Sequence, residues 1–350
     1  MDDGFELQLI DALQPVRGFA LAQGLYHLFS SGIYERIADG PRPVRDVADA
    51  LELDVARTSG FLRYLANENY VALSGDTVSL TGKGRQLAPY RPWYELLVGG
   101  YAQTFQQITD VLQGKGYASR DGRMVGVGSC GMSAFDALPL VRDLMSDLPA
   151  APASLVDLGC GDGTFLTSLV TESDRLTGLG VDPFAPEEPT APGVRFVRSG
   201  ATDYVAEHGA APGAEPDPSR MFVAAFLLQE ILEQEGRAAV VGLVRGALRQ
   251  GGHLAVVEVD HRPADPAVMR HGLGQAYYNP YYLLHVLTEQ RLETDAFWQD
   301  LFADAGATVV SRRVADPRVD STGLEIGYLL TRNTGAPGHP GGTRGEGAGE

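Results

Sequence analysis

The spacing of apolar positions divides the chain into two regimes. Over Phe19 to Ala38, Leu21, Leu25, Leu28 and Ile33 recur near the helical period. A second short helix is expected over residues 43–51. Asp54 can cap a third, which turns Phe61, Leu62 and Leu65 inward. Tyr70-Val71-Ala72-Leu73, a Ser74-Gly75-Asp76 turn and Thr77-Val78-Ser79-Leu80 then read as a β-hairpin. Three helices and a hairpin predict a mainly α-helical winged-helix domain over residues 1–90.

Residues 91–150 read as a helical linker that contributes to the substrate pocket. Pro92, Gly99-Gly100 and the run from Gly122 to Met132 interrupt it, and that run is expected to be a glycine-rich loop able to approach a ligand closely. From Ser154 the period becomes strand, loop, helix. Apolar strands are expected at residues 155–158, 176–181, 194–197, 221–226 and 254–259, separated in several places by helical stretches. That order signals a parallel sheet with crossover helices. Residues 307–314 and 324–331 alternate like a closing antiparallel pair. The predicted class is therefore α/β, with a Rossmann-like domain over 151–332 and a disordered Gly-rich tail over 333–350.

Composition narrows the function classes. With 28 Lys+Arg against 45 Asp+Glu, the net charge of the 350 residues is −17. That balance argues against a nucleic-acid partner, because phosphate binding needs a basic face. The third helix of the winged-helix pattern offers only Arg57 and Arg63, so a packing or dimerisation role is favoured over DNA binding. No apolar run approaches the ~18 residues of a membrane span. The acidic N-terminus argues against a targeting peptide. Cys130 and Cys160 alone make neither a disulfide framework nor a cysteine-based zinc site, and a reducing cytoplasm fits. A cytoplasmic enzyme is the simplest expectation.

The first strand of the second regime runs into Asp157-Leu158-Gly159-Cys160-Gly161-Asp162-Gly163 and then a helix. Glycines there let the backbone turn and approach a ligand. Asp182, at the end of the next strand, is placed to accept hydrogen bonds from ribose hydroxyls. The third glycine is one position early for a dinucleotide fingerprint, where Thr164 stands. The segment resembles motif I of class I S-adenosylmethionine (SAM)-dependent methyltransferases. Over roughly residues 15–332 the pattern is similar to bacterial and plant small-molecule O-methyltransferases, whose N-terminal module dimerises. The resemblance implies SAM as cofactor and a homodimer. It implies that Gly159 and Gly161 line the methionine portion, Asp182 the ribose, and Ala201 and Thr202, within Gly200–Asp203, the adenine. Asp157 and Phe226 complete the implied cofactor set.

One feature departs from that family. Its members carry a His-Asp-Trp after the fourth strand, and the His deprotonates a substrate hydroxyl. Here the His position holds Gln229, followed by Glu230, and an amide cannot take that proton at neutral pH. Glu230, His261 and His285 fall near the carboxyl ends of strands or on a helix expected to be capped by Asn279 and started by Pro280. Tyr281, Tyr282, His285 and Glu289 would share one face of that helix. Two histidines and a carboxylate would suit iron and tolerate zinc. Alternatively, Glu230 is a helix-start carboxylate, His261 a loop residue and His285 a core histidine.

This altered pattern resembles the α-keto acid C-methyltransferases of peptide-antibiotic biosynthesis, whose substrates include phenylpyruvate, 4-methyl-2-oxopentanoate and 2-ketoarginine. The resemblance implies a metal-held α-keto acid substrate, deprotonated at its β-carbon and methylated there. A divalent zinc or iron at Glu230, His261 and His285 would stabilise the enolate. Gln229 or Asp260 would position metal-bound water, and Arg123 would contact the substrate carboxylate. Trp93, Tyr101 and Met132 would wall the pocket if they are not simply core. The rivals are a small-molecule O-methyltransferase and a SAM-binding regulator.

Overall fold

The structure, a computed structural model, describes residues 4–173, 175–208 and 215–333. The expected disordered tail thus lies, apart from Asn333, outside the described residues. The N-terminal region is helical: Phe5–Ala12, Gln14–Ser30, Ile33–Ala38, Val44–Ala50 and Val55–Asn67. The single helix expected over Phe19–Ala38 is two helices, because Gly32 takes a left-handed φ of 77° at the break. The Asp54 cap is present, its carboxylate accepting the Arg57 N–H at 2.8 Å. A short strand β1 (Arg42–Pro43) joins the hairpin of β2 (Val71–Ser74) and β3 (Thr77–Leu80), giving a three-stranded antiparallel sheet in the order β1-β3-β2.

The run Gly122 to Met132 is no loop. It forms a helix, Gly122–Ser133, with the Asp121 carboxylate accepting the Met124 N–H at 3.0 Å as its cap. Its glycines serve close packing: a Cβ on Gly128 would stand 2.5 Å from the Leu96 backbone nitrogen, and one on Gly131 2.8 Å from the Pro92 ring. Tight packing against a neighbouring helical turn outweighs the entropic cost of glycine in a helix.

The larger sheet contains β4 (Ser154–Leu158), β5 (Thr177–Val181), β6 (Val194–Val197), β7 (Asp217–Ala225), β8 (Gly251–Val259), β9 (Ala307–Val314) and β10 (Glu325–Arg332), ordered β6-β5-β4-β7-β8-β10-β9. The first five are parallel, and β10 runs antiparallel between β8 and β9. Alternate residues bury on opposite faces: Val156, Leu158, Phe222 and Ala224 pack beneath helix Arg237–Gln250, while Leu155, Met221 and Val223 pack beneath helices Ala137–Ser146 and Thr164–Val170. Strand order reverses at β4, so the crevice beyond its carboxyl end is where such a sheet holds ligands.

Candidate active site

The loop after β4 is shaped for a close ligand. Gly159, Gly161 and Gly163 all have positive φ, and a Cβ on Gly161 would lie 3.1 Å from Cys130 Sγ on the glycine-rich helix above. The Asp182 carboxylate accepts hydrogen bonds from the Gly161 N–H at 3.2 Å and the Phe184 N–H at 2.7 Å, which ties the end of β5 to this loop. Asp157 is buried with one oxygen lacking a hydrogen-bond partner. Burial, reinforced by the Asp182 charge, pushes its carboxyl up to about 8. A cationic ligand beside these two carboxylates would relieve that penalty, so the residues fit SAM, which Asp157, Gly159, Gly161 and Asp182 would hold. Ala201 opens helix Ala201–Glu207 and packs in one core cluster with Leu158 and Val181 at the ends of β4 and β5, and the Thr202 hydroxyl is hydrogen-bonded to Glu235 at 3.2 Å. Phe226, just past β7, has φ of 55°, a left-handed conformation that is uncommon for an aromatic residue and concentrated at functional sites.

Beyond Phe226, helix Leu228–Gln234 begins on Glu258, a residue to which the sequence reading gave no role. Glu258 is buried in β8, and its carboxylate accepts the Leu228 N–H at 2.8 Å and the Gln229 N–H at 3.4 Å. Burial pushes it up to about 8, against those two hydrogen bonds. A glutamate inside the apolar run Val256-Val257-Glu258-Val259 was the available signal, since an unpaired acid is rarely fully buried. Gln229 is buried too, its amide donating to the Phe226 carbonyl and the Tyr281 hydroxyl, both at 3.3 Å.

Glu230 faces a cation that sequence reasoning passed over. Arg120 lies 2.8 Å from its carboxylate, and the charge of that guanidinium bears on the Tyr101 phenol. The Tyr101 hydroxyl donates to Gln290 at 2.9 Å, and burial pushes the phenol up to about 12. Arg123, by contrast, is exposed on the first turn of the glycine-rich helix. The cation beside the site is Arg120, three residues earlier, because the helix begins at Gly122 and carries Arg123 outward.

His285 is 2% exposed, and its Nδ1 lies 2.8 Å from the Tyr281 carbonyl. A carbonyl only accepts, so Nδ1 carries the proton and Nε2 keeps its lone pair. Burial, with lesser contributions from Arg120 and His261, pulls the imidazole down to about 3. His261 is half-buried, its ring edge-on to Tyr282 at 5.0 Å, and burial lowers it as well. His261, His285, Tyr282, Gln290, Tyr117 and Glu233 line one cavity of about 190 Å³. The Asn279 cap is not formed: Tyr278 precedes helix Asn279–Leu287 without a side-chain cap, and Glu289 lies past its end and is exposed.

The two histidines therefore share a cavity, but Glu230 does not join them as a third donor. Its oxygens are engaged by Arg120 and by the Gln234 amide at 3.1 Å. Among the described residues no group of three or more His, Cys, Asp or Glu side chains is placed to hold a metal ion. Asp260, expected near a bound water, instead accepts the Asp295 N–H at 2.8 Å and pairs with Arg262 at 3.1 Å. Trp93 and Met132 do wall the Tyr101 neighbourhood, packing in one cluster with it and Leu284.

No protein-family model matches the chain. Among solved structures, human N-acetylserotonin methyltransferase in complex with SAM is similar with a TM-score of 0.63 at 14% identity, covering 95% of this chain and 99% of that one. The calicheamicin-biosynthesis methyltransferase in its S-adenosylhomocysteine-bound form reaches a TM-score of 0.60 at 18% identity, covering 95% and 99%. The mitomycin 7-O-methyltransferase reaches 0.61 at 14%, covering 93% and 97%. These establish the class I methyltransferase fold. In sequence, the 2-ketoarginine methyltransferase of Streptomyces arginensis is 77% identical over 336 residues, 96% of this chain and 99% of that one. With that identity along nearly its whole length, on that fold, the chain belongs to the 2-ketoarginine methyltransferase family of SAM-dependent methyltransferases.

Proposed function

We propose that this enzyme methylates C3 of an α-keto acid of the 2-ketoarginine type, through an enolate. The observation that carries the reading is Gln229. At the position where the O-methylating enzymes place their base, this site has a buried amide bonded to Tyr281. An alcohol or phenol would find no proton acceptor there, whereas a 2-oxo acid acidifies its own C3–H.

Arg120 supplies the positive charge. Its guanidinium has five N–H donors, and Glu230 occupies one edge, which leaves others for the substrate carboxylate and ketone oxygen. Charge that develops on the ketone oxygen as C3 loses its proton is then met by a fixed cation in a largely buried site. His285 Nε2 takes the proton. Neutralisation of Arg120 by the substrate carboxylate raises the basicity of His285, since Arg120 is one of the charges holding it down. The cavity shared with His261 offers that proton a way out. When bound, SAM supplies an electrophilic sulfonium methyl: C3 bonds to the methyl carbon as the carbon–sulfur bond breaks, leaving S-adenosylhomocysteine and the 3-methyl-2-oxo acid.

A divalent zinc or iron is the alternative source of positive charge. It would need Glu230 released from Arg120 and brought towards His285. The two readings part on metal analysis and on turnover after chelation.

We also propose a homodimer built on the N-terminal helices. Leu7, Val16 and Phe19 are 70%, 62% and 63% exposed there, with Phe5 at 52%. A second copy of this acidic chain, presenting the same apolar face, would cover them.

The test is incubation with SAM and a panel of 2-oxo acids, with mass spectrometry and carbon NMR of the product. A single added methyl at C3 supports the proposal. Methylation at oxygen, or only of phenols, overturns it.

A further inference from the structure

A buried acidic cluster lies along the same tyrosine wall as the reaction site. Glu325, at the start of β10, and Asp320 are each 3% exposed, and Asp136 caps helix Ala137–Ser146 beside them. Asp136 and Glu325 bear on each other's charge. The Asp320 carboxylate accepts from the Tyr278 hydroxyl at 2.7 Å and from Thr322, and Asp136 accepts the Ala137 N–H at 2.6 Å. Glu325 Oε1 is buried and has no hydrogen-bond partner. Among the described residues no lysine or arginine forms an ion pair with any of the three.

Two carboxylates buried without a cation, with a third part-buried beside them, are costly to the fold and need another explanation. Burial, with Asp320 adding to it, pushes Asp136 up to about 6, and burial with Asp136 and Asp320 adding to it pushes Glu325 well above the usual carboxylate range. Aromatic faces stand around them. Tyr277, Tyr278 and Tyr281 form a group with ring separations of 5.0, 5.4 and 6.4 Å, and all three phenols feel the Glu325 charge. Tyr281 reaches the other way, to Gln229 and His285. The wall thus runs from the Arg120 cation at one end to the acidic cluster at the other.

We infer that Glu325 and Asp136, backed by Asp320 and walled by Tyr277 and Tyr281, bind a planar cationic group, the guanidinium at the far end of the substrate. This rests on the α-keto acid reading above and names the end of the substrate opposite to the one Arg120 holds. A guanidinium meets the lone pairs of a carboxylate pair with two parallel N–H donors and stacks on tyrosine faces. Binding places the missing cation against Glu325 Oε1.

The test compares 5-guanidino-2-oxopentanoate with its neutral counterpart 5-ureido-2-oxopentanoate, using the full chain and the variants Glu325→Gln and Asp136→Asn. The readout is the ratio of kcat/KM for the two acids, which cancels any loss of folded enzyme. The wild type should prefer the guanidino acid by about 100-fold or more, because a site with buried hydrogen-bonding groups discriminates strongly against an unmatched ligand. Glu325→Gln should bring the ratio within about 3-fold of unity. Should Glu325→Gln not fold, Asp136→Asn carries the test, since asparagine also caps a helix. A wild-type ratio near one, or a folded variant that keeps the wild-type ratio, overturns the inference while leaving C3 methylation standing. No methylation of any 2-oxo acid overturns both.

Discussion

Arg120 stands 2.8 Å from Glu230, its charge bearing on the Tyr101 phenol and on His285. One part-buried cation therefore links a carboxylate, a phenol and an imidazole drawn from separate parts of the chain.

Replacing Arg120 with leucine should lower kcat/KM by about 10²–10³, the usual cost of removing a charge-stabilising donor, with SAM affinity little changed. Steady-state kinetics and calorimetric SAM titration measure both. If Arg120 supplies the charge, wild-type turnover should survive exhaustive dialysis against EDTA. Loss of activity restored by added zinc or iron would give that role to a metal.

Asp157 is held up to about 8 by burial and Asp182. A bound sulfonium favours its ionised form, so SAM should bind more tightly as pH rises from 6 through 8, with proton release on binding. Titrations in two buffers of different ionisation enthalpy detect the proton, and Asp157→Asn should flatten the pH dependence. Asp182→Ala should weaken SAM by roughly 2–4 kcal/mol if its hydrogen bonds to the ribose are charge-assisted.

The His285 imidazole is shifted the other way, downwards, and its effect is read in stability. Its folded pKa of about 3 lies below the ordinary 6.5. The unfolded chain thus binds the extra proton first as the solution is acidified. Stability from the neutral imidazole is full above pH 6.5 and is lost as pH falls towards 3. Melting temperature between pH 7.5 and 5 should fall less in His285→Gln than in the wild type, and that variant should no longer exchange deuterium into C3 of the substrate.

Two glycines of helix Gly122–Ser133 should respond in opposite directions to alanine. A Cβ on Gly128 meets Leu96 backbone at 2.5 Å, whereas Gly126 has open space. Gly128→Ala should destabilise by roughly 1–3 kcal/mol, and Gly126→Ala should stabilise by about 0.4–1 kcal/mol. Urea denaturation compares them.

The exposed N-terminal face makes a prediction about assembly. Light scattering should report a dimer, and Leu7→Glu with Val16→Glu should convert it to monomer. A wild-type monomer at micromolar concentration would remove the dimer proposal.

Local pattern determined much of this protein. The five parallel strands, the closing antiparallel pair, the hairpin, the Asp54 cap and the glycine loop after Asp157 were all legible, because each is encoded by neighbours within a few residues. Gln229 was legible as a departure only beside the family resemblance, which is what gives that position a meaning. What the tertiary structure alone decided was whatever depends on two distant segments meeting. The Gly122–Met132 run reads locally as a breaker, yet contact with Leu96 and Pro92 makes it a helix. Periodicity cannot tell Arg120 from Arg123; the start of that helix sends one to Glu230 and the other to solvent. Glu258 under the Gln229 turn, and Asp136 against Glu325, join residues far apart in the chain. Such pairings follow from how helices and strands pack, and a one-dimensional pattern carries no record of them.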